Sequence, residues 1–449
     1  MSLKPWLYHF LILWPFFIFS QDVPEVKNKG KFSGQWRSYF MNTANKGALK
    51  DYSALATGGK LKYQFSFNKK FEIGAALYNS TNLGIQDLTH TDAATGKKSR
   101  YEEGLFNRLD LDNHFVFLLG ELYIKYTSTQ HELSLGRMKI NTPLVNPEDG
   151  RMIPTLAQGF WYRFTIKNDN SLQLGILNQM APRSTGSFYG IGESIGTYAT
   201  GRSPTGQNSL YAGNTHSDYM VLLNTDLRIT NNIRLEIWNY YIDNVSNTTY
   251  IKPTTSLTDK LALALEWVHQ NKVGEGGNAI DSLRYFTSNS SDIIGMKLDY
   301  GWQKSKISLG YDRIFAHGQF LFPREWGRED LFSFQKRERS EGSADNHALV
   351  FEYGTSFPLV KNKAQLTTIF NIGRHWKPSV LDPKSNKYAV PDYTQINLDF
   401  FFKFDKLKNL RPELLLVTKL ANGDFPDNPN FYFNKTDMFH IDLILNYNF

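Results

Sequence analysis

The residues with the clearest chemical potential lie in two charged stretches of the chain. The first, from Leu135 to Pro154, contains three prolines that stiffen the backbone and exclude a regular strand. The second, from Phe322 to Gly342, combines arginines and carboxylates with aromatic residues. A guanidinium can hold a carboxylate through two parallel hydrogen bonds, so these residue types favour recognition of ions. A stiff loop such as the first stretch is also able to form a fixed constriction.

The charges of the second stretch allow two interpretations. A run of charges is usually a solvated outer face of a protein. Here, however, aromatic residues lie among the charges and offer apolar anchors, namely Trp326, Phe320, Phe322, Phe332 and Phe334. These anchors favour a loop that is held against the rest of the protein.

Bond-making chemistry is not indicated by any motif in the sequence. The chain has 10 scattered histidines, no nucleophile elbow of the form Gly-x-Ser-x-Gly and no His-Glu-x-x-His metal helix. It also has no cysteine, which excludes thiolate metal sites, disulfides and a lipid-modified cysteine anchor. We therefore expect no cofactor, no metal site and no enzyme activity.

The net charge is modestly positive but dispersed. The formal charge is +7 at pH 7 and the pI is about 9.1. Because Lys and Arg are spread along the chain rather than gathered in one basic run, nucleic acid is not an expected partner.

The N-terminus has the pattern of an export signal. Lys4 precedes an apolar segment from Trp6 to Phe19, which is shorter than the roughly 20 residues of a membrane-spanning helix. A buried N-terminal helix is the alternative, but the polar segment that follows, from Gln21 to Lys31, argues against it. We expect a cleavable signal peptide over residues 1–20 and a mature chain over residues 21–449.

The mature chain alternates apolar and polar residues in short segments. The last segment shows this most clearly, with Phe439, Ile441, Leu443, Leu445, Tyr447 and Phe449 on one face. Only Ile444 interrupts the polar face. Soluble β-sandwiches alternate as well, but aromatic residues also cluster at the strand ends, as in transmembrane barrels. No window approaches the 18 apolar residues of a membrane helix, so the expected fold class is all-β, a transmembrane antiparallel β-barrel.

The connections between segments alternate between tight and long. The eight tight ones are 68–70, 128–131, 168–171, 230–232, 254–259, 303–306, 358–363 and 405–411. The nine others fall near 41–58, 80–120, 138–158, 180–217, 243–247, 270–292, 315–345, 375–393 and 421–437. Eight tight turns with both termini on one side predict about 18 strands, with short periplasmic turns and long extracellular loops. The 243–247 connection is short, and the strand predicted after it, about Thr248 to Pro253, is weak in pattern.

Strand parity assigns one set of charges to the barrel interior. The basic members are Arg37, Lys60, Lys62, Lys125, Arg163, Lys167, Arg234 and Lys297. The acidic members are Glu72, Asp110, Glu121, Glu236, Glu266, Asp299, Glu352, Asp399 and Asp442. Cations lining a low-dielectric channel attract anions, whereas charges of both signs can also pair across strands and stiffen the wall. Both interpretations remain open for each residue.

Two stretches resemble the OprD family of outer-membrane porins. The first carries the segments Leu135-Gly-Arg, Thr142-Pro-Leu and Asp149-Gly-Arg-Met, followed by Pro154. The second carries Pro323-Arg-Glu-Trp-Gly-Arg-Glu and Arg337-Glu-Arg-Ser-Glu-Gly. The resemblance implies a single 18-stranded barrel domain, narrowed by inward-folded loops near 138–158 and 315–345.

The resemblance also implies a function and a set of site residues. The family takes up small hydrophilic solutes passively, often carboxylates, along basic wall residues and through a mixed-charge constriction. The implied constriction residues are Glu148, Asp149, Arg151, Arg324, Arg328, Glu329 and Asp330. The implied wall residues are Arg37, Lys62, Arg163, Lys167 and Arg234, which rest on strand parity because no family motif covers them.

Localisation and partners follow from the same interpretation. We expect the cell outer membrane, contact with its lipid and lipopolysaccharide, and recognition of the terminal aromatic strand by barrel-insertion machinery. The sequence leaves open a homotrimer or a monomer. The alternative functions are a non-conducting barrel that serves as an adhesin or structural anchor, and an outer-membrane hydrolase.

Overall fold

The wall of the protein is an antiparallel β-sheet that closes on itself. The computed structural model describes residues 30–449 except 68, 148–150, 338 and 360–362. Eighteen long strands form the closed wall, and the predicted 18-stranded barrel is confirmed. The strands, β1 to β18 in chain order, are Lys31–Asn45, Tyr52–Ser66, Phe71–Asn82, Phe115–Thr127, His131–Met138, Leu156–Thr165, Ser171–Ala181, Met220–Arg228, Ile233–Ile242, Ser246–Ser256, Leu261–Lys272, Ser290–Trp302, Ser305–Ile314, Asn346–Leu359, Ala364–Trp376, Tyr393–Phe404, Leu410–Ala421 and Met438–Asn448.

The barrel closes between its first and last strands. β1 pairs with β18 in a continuous register from Gln35 opposite Asn448 to Asn45 opposite Met438. Beyond that register, Gly34 and Phe449 exchange backbone hydrogen bonds of 2.7 and 3.0 Å. Closure satisfies the edge groups that a membrane could not hydrate.

Burial along the strands is inverted relative to a soluble protein. In β18 the apolar Phe439, Leu443 and Tyr447 are exposed, while the polar Asp442 is buried in the interior. Ile444, which interrupts the polar face, is also buried and belongs to an interior apolar cluster. The alternation therefore records a wall whose apolar side faces lipid.

Aromatic rings gather on the outer wall near both ends of the strands. At the short-turn end, Phe67 stacks on Phe71 at 5.6 Å between ring centroids, and Tyr300 lies 5.6 Å from Trp302. At the opposite end, Phe115 and Phe117 lie 6.4 Å apart. Such girdles place amphipathic rings at the two membrane interfaces.

The connections follow the predicted alternation with two errors of extent. Tight turns separate the strands at the expected places, except that the turn predicted at 254–259 begins later because β10 continues to Ser256. The nine opposite connections, loops 1 to 9, are residues 46–51, 83–114, 139–155, 182–219, 243–245, 273–289, 315–345, 377–392 and 422–437. The prediction that loop 1 covers 41–58 is wrong, because β1 continues to Asn45 and β2 begins at Tyr52. Apolar residues such as Met41 and Ala54 face inward there, against loop residues such as Leu105. The inward face of these strand ends is therefore apolar rather than polar, and the alternation of apolar and polar residues is lost. The strand after loop 5, which has a weak sequence pattern, is regular from Ser246 to Ser256.

The remaining elements are short and lie in loops and one turn. They are the helices Glu102–Leu105, Lys167–Asp169, Ile191–Ser194, Asp281–Leu283, Arg324–Trp326 and Pro429–Tyr432, and the two-residue strand Tyr189–Gly190. Among the described residues, no helix is long and apolar enough to cross a bilayer.

Candidate functional site: a loop-lined constriction

Loops 3 and 7 are joined by hydrogen bonds between one asparagine of loop 3 and the backbone of loop 7. The Asn146 side chain accepts from the backbone N–H of Arg328 at 3.1 Å and donates to the Arg328 carbonyl at 2.8 Å. Its own N–H donates to the carbonyl of Trp326 at 3.1 Å. Between them, Gly327 has a φ of +142°, and a Cβ there would lie 2.6 Å from the Asn146 Oδ1. Only glycine fits this approach, so the two loops are locked together.

Trp326 is the central anchor of loop 7, as its position among charges predicted. Its side chain is fully buried, its Nε1–H donates to Ser194 Oγ at 2.8 Å, and its ring meets Phe322 edge-on at 5.9 Å. Ser194 belongs to loop 4. A third loop therefore holds loop 7 in place.

Loop 4 also contributes an arginine that supports and lines the constriction. Arg183 Nη1 donates to the carbonyls of Arg324 at 2.5 Å and Gly327 at 2.7 Å. Its guanidinium carbon lies 4.5 Å from the centre of the Tyr198 ring, and that of Arg108, from loop 2, lies 4.0 Å from the same centre. Cation–π stacking fixes both guanidinium groups.

The joined loops enclose a strongly cationic cavity, which we call the cationic cavity. Of the described residues that line it, ten are basic and one is acidic, Glu413. The basic residues are Arg37, Arg100, Arg108, Arg151, Arg183, Arg324, Arg328, Lys336, Arg337 and Arg339. Loops 2, 3, 4 and 7 and the strand β1 each supply at least one of them, so positive charge surrounds the cavity.

Buried carboxylates lie behind five of these cations. The pairs are Arg108–Glu103, Arg324–Glu341, Lys336–Asp399, Arg337–Asp442 and Arg339–Glu329. None of the five carboxylates lines the cavity. Each holds its cation in place while leaving the surface of this cavity positive, although Asp399 lines a neighbouring cavity.

Arg324 shows how tightly such a cation is held. Its Nε donates to Glu341 at 2.5 Å, and its guanidinium lies 3.7 Å from the centre of the Tyr388 ring. Burial would lower the pKa of Arg324, but Tyr388 and Glu341 outweigh it and raise the pKa above its usual range. Arg324 is therefore a permanent positive charge.

The structure places the residues of the expected constriction in different environments. Arg151, Arg324 and Arg328 line the cationic cavity. Glu329 is buried behind it, where it accepts from the backbone N–H of Ser340 and Glu341. Exposed Asp330 lines a neighbouring cavity. Glu148 and Asp149 lie outside the described residues. The described part of the cavity lining is thus mostly cationic, with Glu413 as its acidic residue.

The residues expected in the wall are similarly divided. Arg37 lines the cationic cavity, where it donates to Asn446 at 2.7 Å and to the carbonyl of Arg151 at 2.6 Å. Arg163 and Arg234 lie on strands with inward parity, and Arg234 is bound bidentately by Asp226 at 2.6 and 2.5 Å. Lys167 lies in an exposed short turn instead of a strand, because β6 ends at Thr165. Asp110 likewise lies in loop 2.

Sequence reasoning missed six of the ten basic residues in the described lining. Lys336, Arg337 and Arg339 lay within a charge run that was recognised but not assigned to the site. Arg100, Arg108 and Arg183 lie in loops 2 and 4 without any local motif. The length of those loops was the one available signal.

A second cavity, the balanced cavity, lies beside β2 to β5. Its described lining contains three lysines and three glutamates: Lys62, Lys125, Lys139, Glu72, Glu121 and Glu132. Lys62 pairs with Glu121 at 2.7 Å and Lys125 with Glu132 at 2.9 Å. In this cavity, charges of both signs pair across strands.

A barrel with an apolar outer face, a polar interior and a loop-lined constriction belongs to the class of outer-membrane channel proteins. Among the described residues, no group of His, Asp and Glu is arranged to hold a metal ion. The features that distinguish the chain within its class are the loops that narrow the lumen.

Comparison with known proteins identifies the family. The model for "outer membrane porin, OprD family" matches residues 30–340, and the chain belongs to that family. No curated protein matches the chain by sequence. Three solved structures share the fold: OccAB4 of Acinetobacter baumannii (15% identity, 94% of this chain and 98% of that chain, TM-score 0.68), OccAB3 of the same organism (14%, 94% and 99%, 0.69) and Pseudomonas aeruginosa OpdK with vanillate (13%, 94% and 98%, 0.68). The protein is therefore an outer-membrane porin.

Proposed function

We propose that this porin admits small hydrophilic anions, including carboxylates, by passive diffusion. The observation that carries the proposal is the ten-to-one ratio of basic to acidic residues among the described lining of the cationic cavity. Cations in a confined space of low dielectric constant concentrate anions and repel cations. The constriction therefore favours negatively charged solutes.

Passage through the constriction requires binding that is also readily reversed. A guanidinium can hold a carboxylate through two parallel hydrogen bonds. The buried carboxylates behind Arg108, Arg324 and Arg337 reduce the net attraction that each of these cations exerts on a solute. A solute can then move from one arginine to the next without being trapped.

One structural neighbour supports a carboxylate as the solute. The OpdK structure from Pseudomonas aeruginosa contains vanillate, which is an aromatic carboxylate. At 13% identity this likeness establishes the fold alone, so the chemistry of the cationic cavity remains the main support.

Single-channel recording in planar bilayers tests the proposal. Under a KCl gradient, the purified porin should conduct, and its reversal potential should show preference for chloride. A preference for potassium would contradict the proposal that the solutes are anionic. Absence of any conductance would favour a barrel that serves as an adhesin or anchor.

The expected cellular context completes the proposal. We propose that residues 1–20, which lie outside the described residues, direct export, and that the apolar outer wall contacts lipid and lipopolysaccharide. Barrel-insertion machinery is proposed to recognise the strand ending at Phe449, and both a homotrimer and a monomer are compatible with the sequence. N-terminal sequencing of the mature protein tests the signal, and cross-linking in membranes tests the oligomer.

A further inference from the structure

We infer that the preferred solutes carry at least two negative charges. This inference rests on the proposed anion selectivity and specifies the charge class of the solute. Dicarboxylates and phosphate monoesters both have the required chemistry.

The first argument is the charge balance of the cationic cavity. The ten described basic lining residues face six carboxylates, namely Glu413 and the five that lie behind paired cations. This leaves an excess of four positive charges within these groups. A monoanion can pair with only one of these cations, whereas a dianion can pair with two.

The second argument is the distribution of the cations. Arg108 and Arg183 stack within 4.0 and 4.5 Å of the centre of the same Tyr198 ring. The two guanidinium groups are therefore neighbours, held at a single aromatic ring. Both groups line the cavity. One carboxylate can bind one of them bidentately, whereas a small dicarboxylate has a charged group for each.

The third argument is that the positive charges are fixed before any solute arrives. Arg183 is held by two carbonyls of loop 7, and Arg324 by Glu341 and Tyr388. Fixed cations cannot turn away from one another to relieve their repulsion. A solute with two charges relieves more of that repulsion than a monoanion of the same size.

The test compares small anions of different charge, of which butyrate and succinate have the same chain length. Butyrate, succinate and tricarballylate, each added at pH 8 to one side of a bilayer containing the full-length mature porin, are scored by half-block of the chloride current. Glycerol phosphate provides a dianion whose charges lie on one group. We expect succinate to block at a concentration about tenfold lower than butyrate, as one additional charge-assisted contact would give. Tricarballylate should block at a lower concentration still. Whether succinate or glycerol phosphate blocks better will show whether the two charges must be separated.

Matched variants locate the effect. Arg328→Gln removes a lining cation whose guanidinium stacks on Phe334 at 4.9 Å, and it should reduce the succinate-to-butyrate ratio severalfold. Lys125→Gln, at the more exposed ion pair of the balanced cavity, should leave the ratio unchanged. Equal block by butyrate and succinate, in a channel that still prefers chloride, would overturn the inference and leave the proposed function intact. Loss of chloride preference in the wild-type channel would overturn both.

Discussion

The cationic cavity and the balanced cavity use the same residue types with opposite results. In the balanced cavity, lysines and glutamates on nearby strands line the same space and pair within it, as Lys62 does with Glu121. In the cationic cavity, mostly loop residues supply the cations and the carboxylates lie behind them, as Glu341 lies behind Arg324. The difference shows that the position of a carboxylate matters as well as the number of charges. A carboxylate that lines the cavity pairs with its cations and stiffens the wall, whereas one that lies behind the cations leaves the cavity able to attract an anion.

The largest expected effect comes from removing a carboxylate behind the cationic cavity. Glu341 is buried, accepts from Arg324 at 2.5 Å and lies 3.6 Å from Lys387. Glu341→Gln leaves two buried cations without their acid, a change that costs about 3–5 kcal/mol in comparable buried pairs. We expect loop 7 to lose its fixed position, seen as noisy conductance and a lower unfolding temperature. Glu132→Gln, at an exposed ion pair of the balanced cavity, is the control and should change neither.

Truncating a lining arginine should have the next largest effect. Arg151→Ala and Arg328→Ala each remove side-chain volume and a positive charge from the lining of the cationic cavity. Single-channel conductance should rise and the preference for anions should weaken in both variants, because the cavity becomes wider and less positive. If reversal potentials remain at the wild-type value in both, these residues do not belong to the selective region.

A smaller effect is expected from the ring between two arginines. Tyr198→Ala removes the surface on which Arg108 and Arg183 stack, so anion preference should decrease while both charges remain. Tyr198→Phe keeps the ring and should behave as wild type, apart from losing the 3.3 Å contact of the hydroxyl with Ser184. Identical reversal potentials for the Ala and Phe variants would show that stacking does not position the arginines.

The pH dependence of selectivity offers a more subtle comparison. Burial raises the pKa of Glu102, in loop 2, from 4.5 to about 7. One of its oxygens accepts from Thr43 at 2.5 Å, and among the described residues the other has no hydrogen-bond partner. His440, Asp442 and Arg337 face it from β18 and loop 7.

The sign of this dependence follows from proton binding. The folded protein holds the Glu102 proton more tightly than the unfolded chain, so the resulting stability is complete below about pH 4.5 and is lost as pH rises through about 7. Ionisation also adds a negative charge beside the cationic cavity. Anion preference should therefore weaken between about pH 6 and pH 8, measured by reversal potential. Glu102→Gln should remove the change, and its persistence in that variant would assign it to another group such as His440.

The smallest effect is expected in the balanced cavity. The double variant Lys62→Gln and Glu121→Gln removes both partners of a cross-strand pair and leaves no buried charge unpaired. Selectivity should remain at the wild-type value in reversal-potential measurements. A marked loss of anion preference would show that Lys62 acts on the solute, as the sequence allowed.

The barrel was predictable from sequence because its determinants are local. Alternation along segments such as Phe439 to Phe449, and turns of a few residues, depend on neighbours in the chain. Prediction failed at loop 1, where Met41 and Ala54 face inward against loop 2 and the alternation no longer marks the lipid side.

The site was less predictable because its contacts are distant in sequence. Motifs indicated Arg151, Arg324 and Arg328, which lie in stiff loops. Arg183 acquires its role from carbonyls more than 140 residues away, and no local pattern records such a contact. The pairing of Arg324 with Glu341 likewise depends on how loop 7 folds on itself.

Closure of the barrel has a consequence for the order of assembly. Arg337 donates to Tyr39 on β1 at 2.8 Å and to Asp442 on β18 at 2.5 Å, so one lining cation bridges the first and last strands. Its backbone has a φ of +71°, a conformation that costs an ordinary residue roughly 1–2 kcal/mol and that these contacts help to maintain. Both partners come together only when the last strand has paired with the first. A half-inserted sheet would therefore lack this part of the cationic cavity. The porin completes the positive lining of that cavity at the same step in which the barrel wall closes.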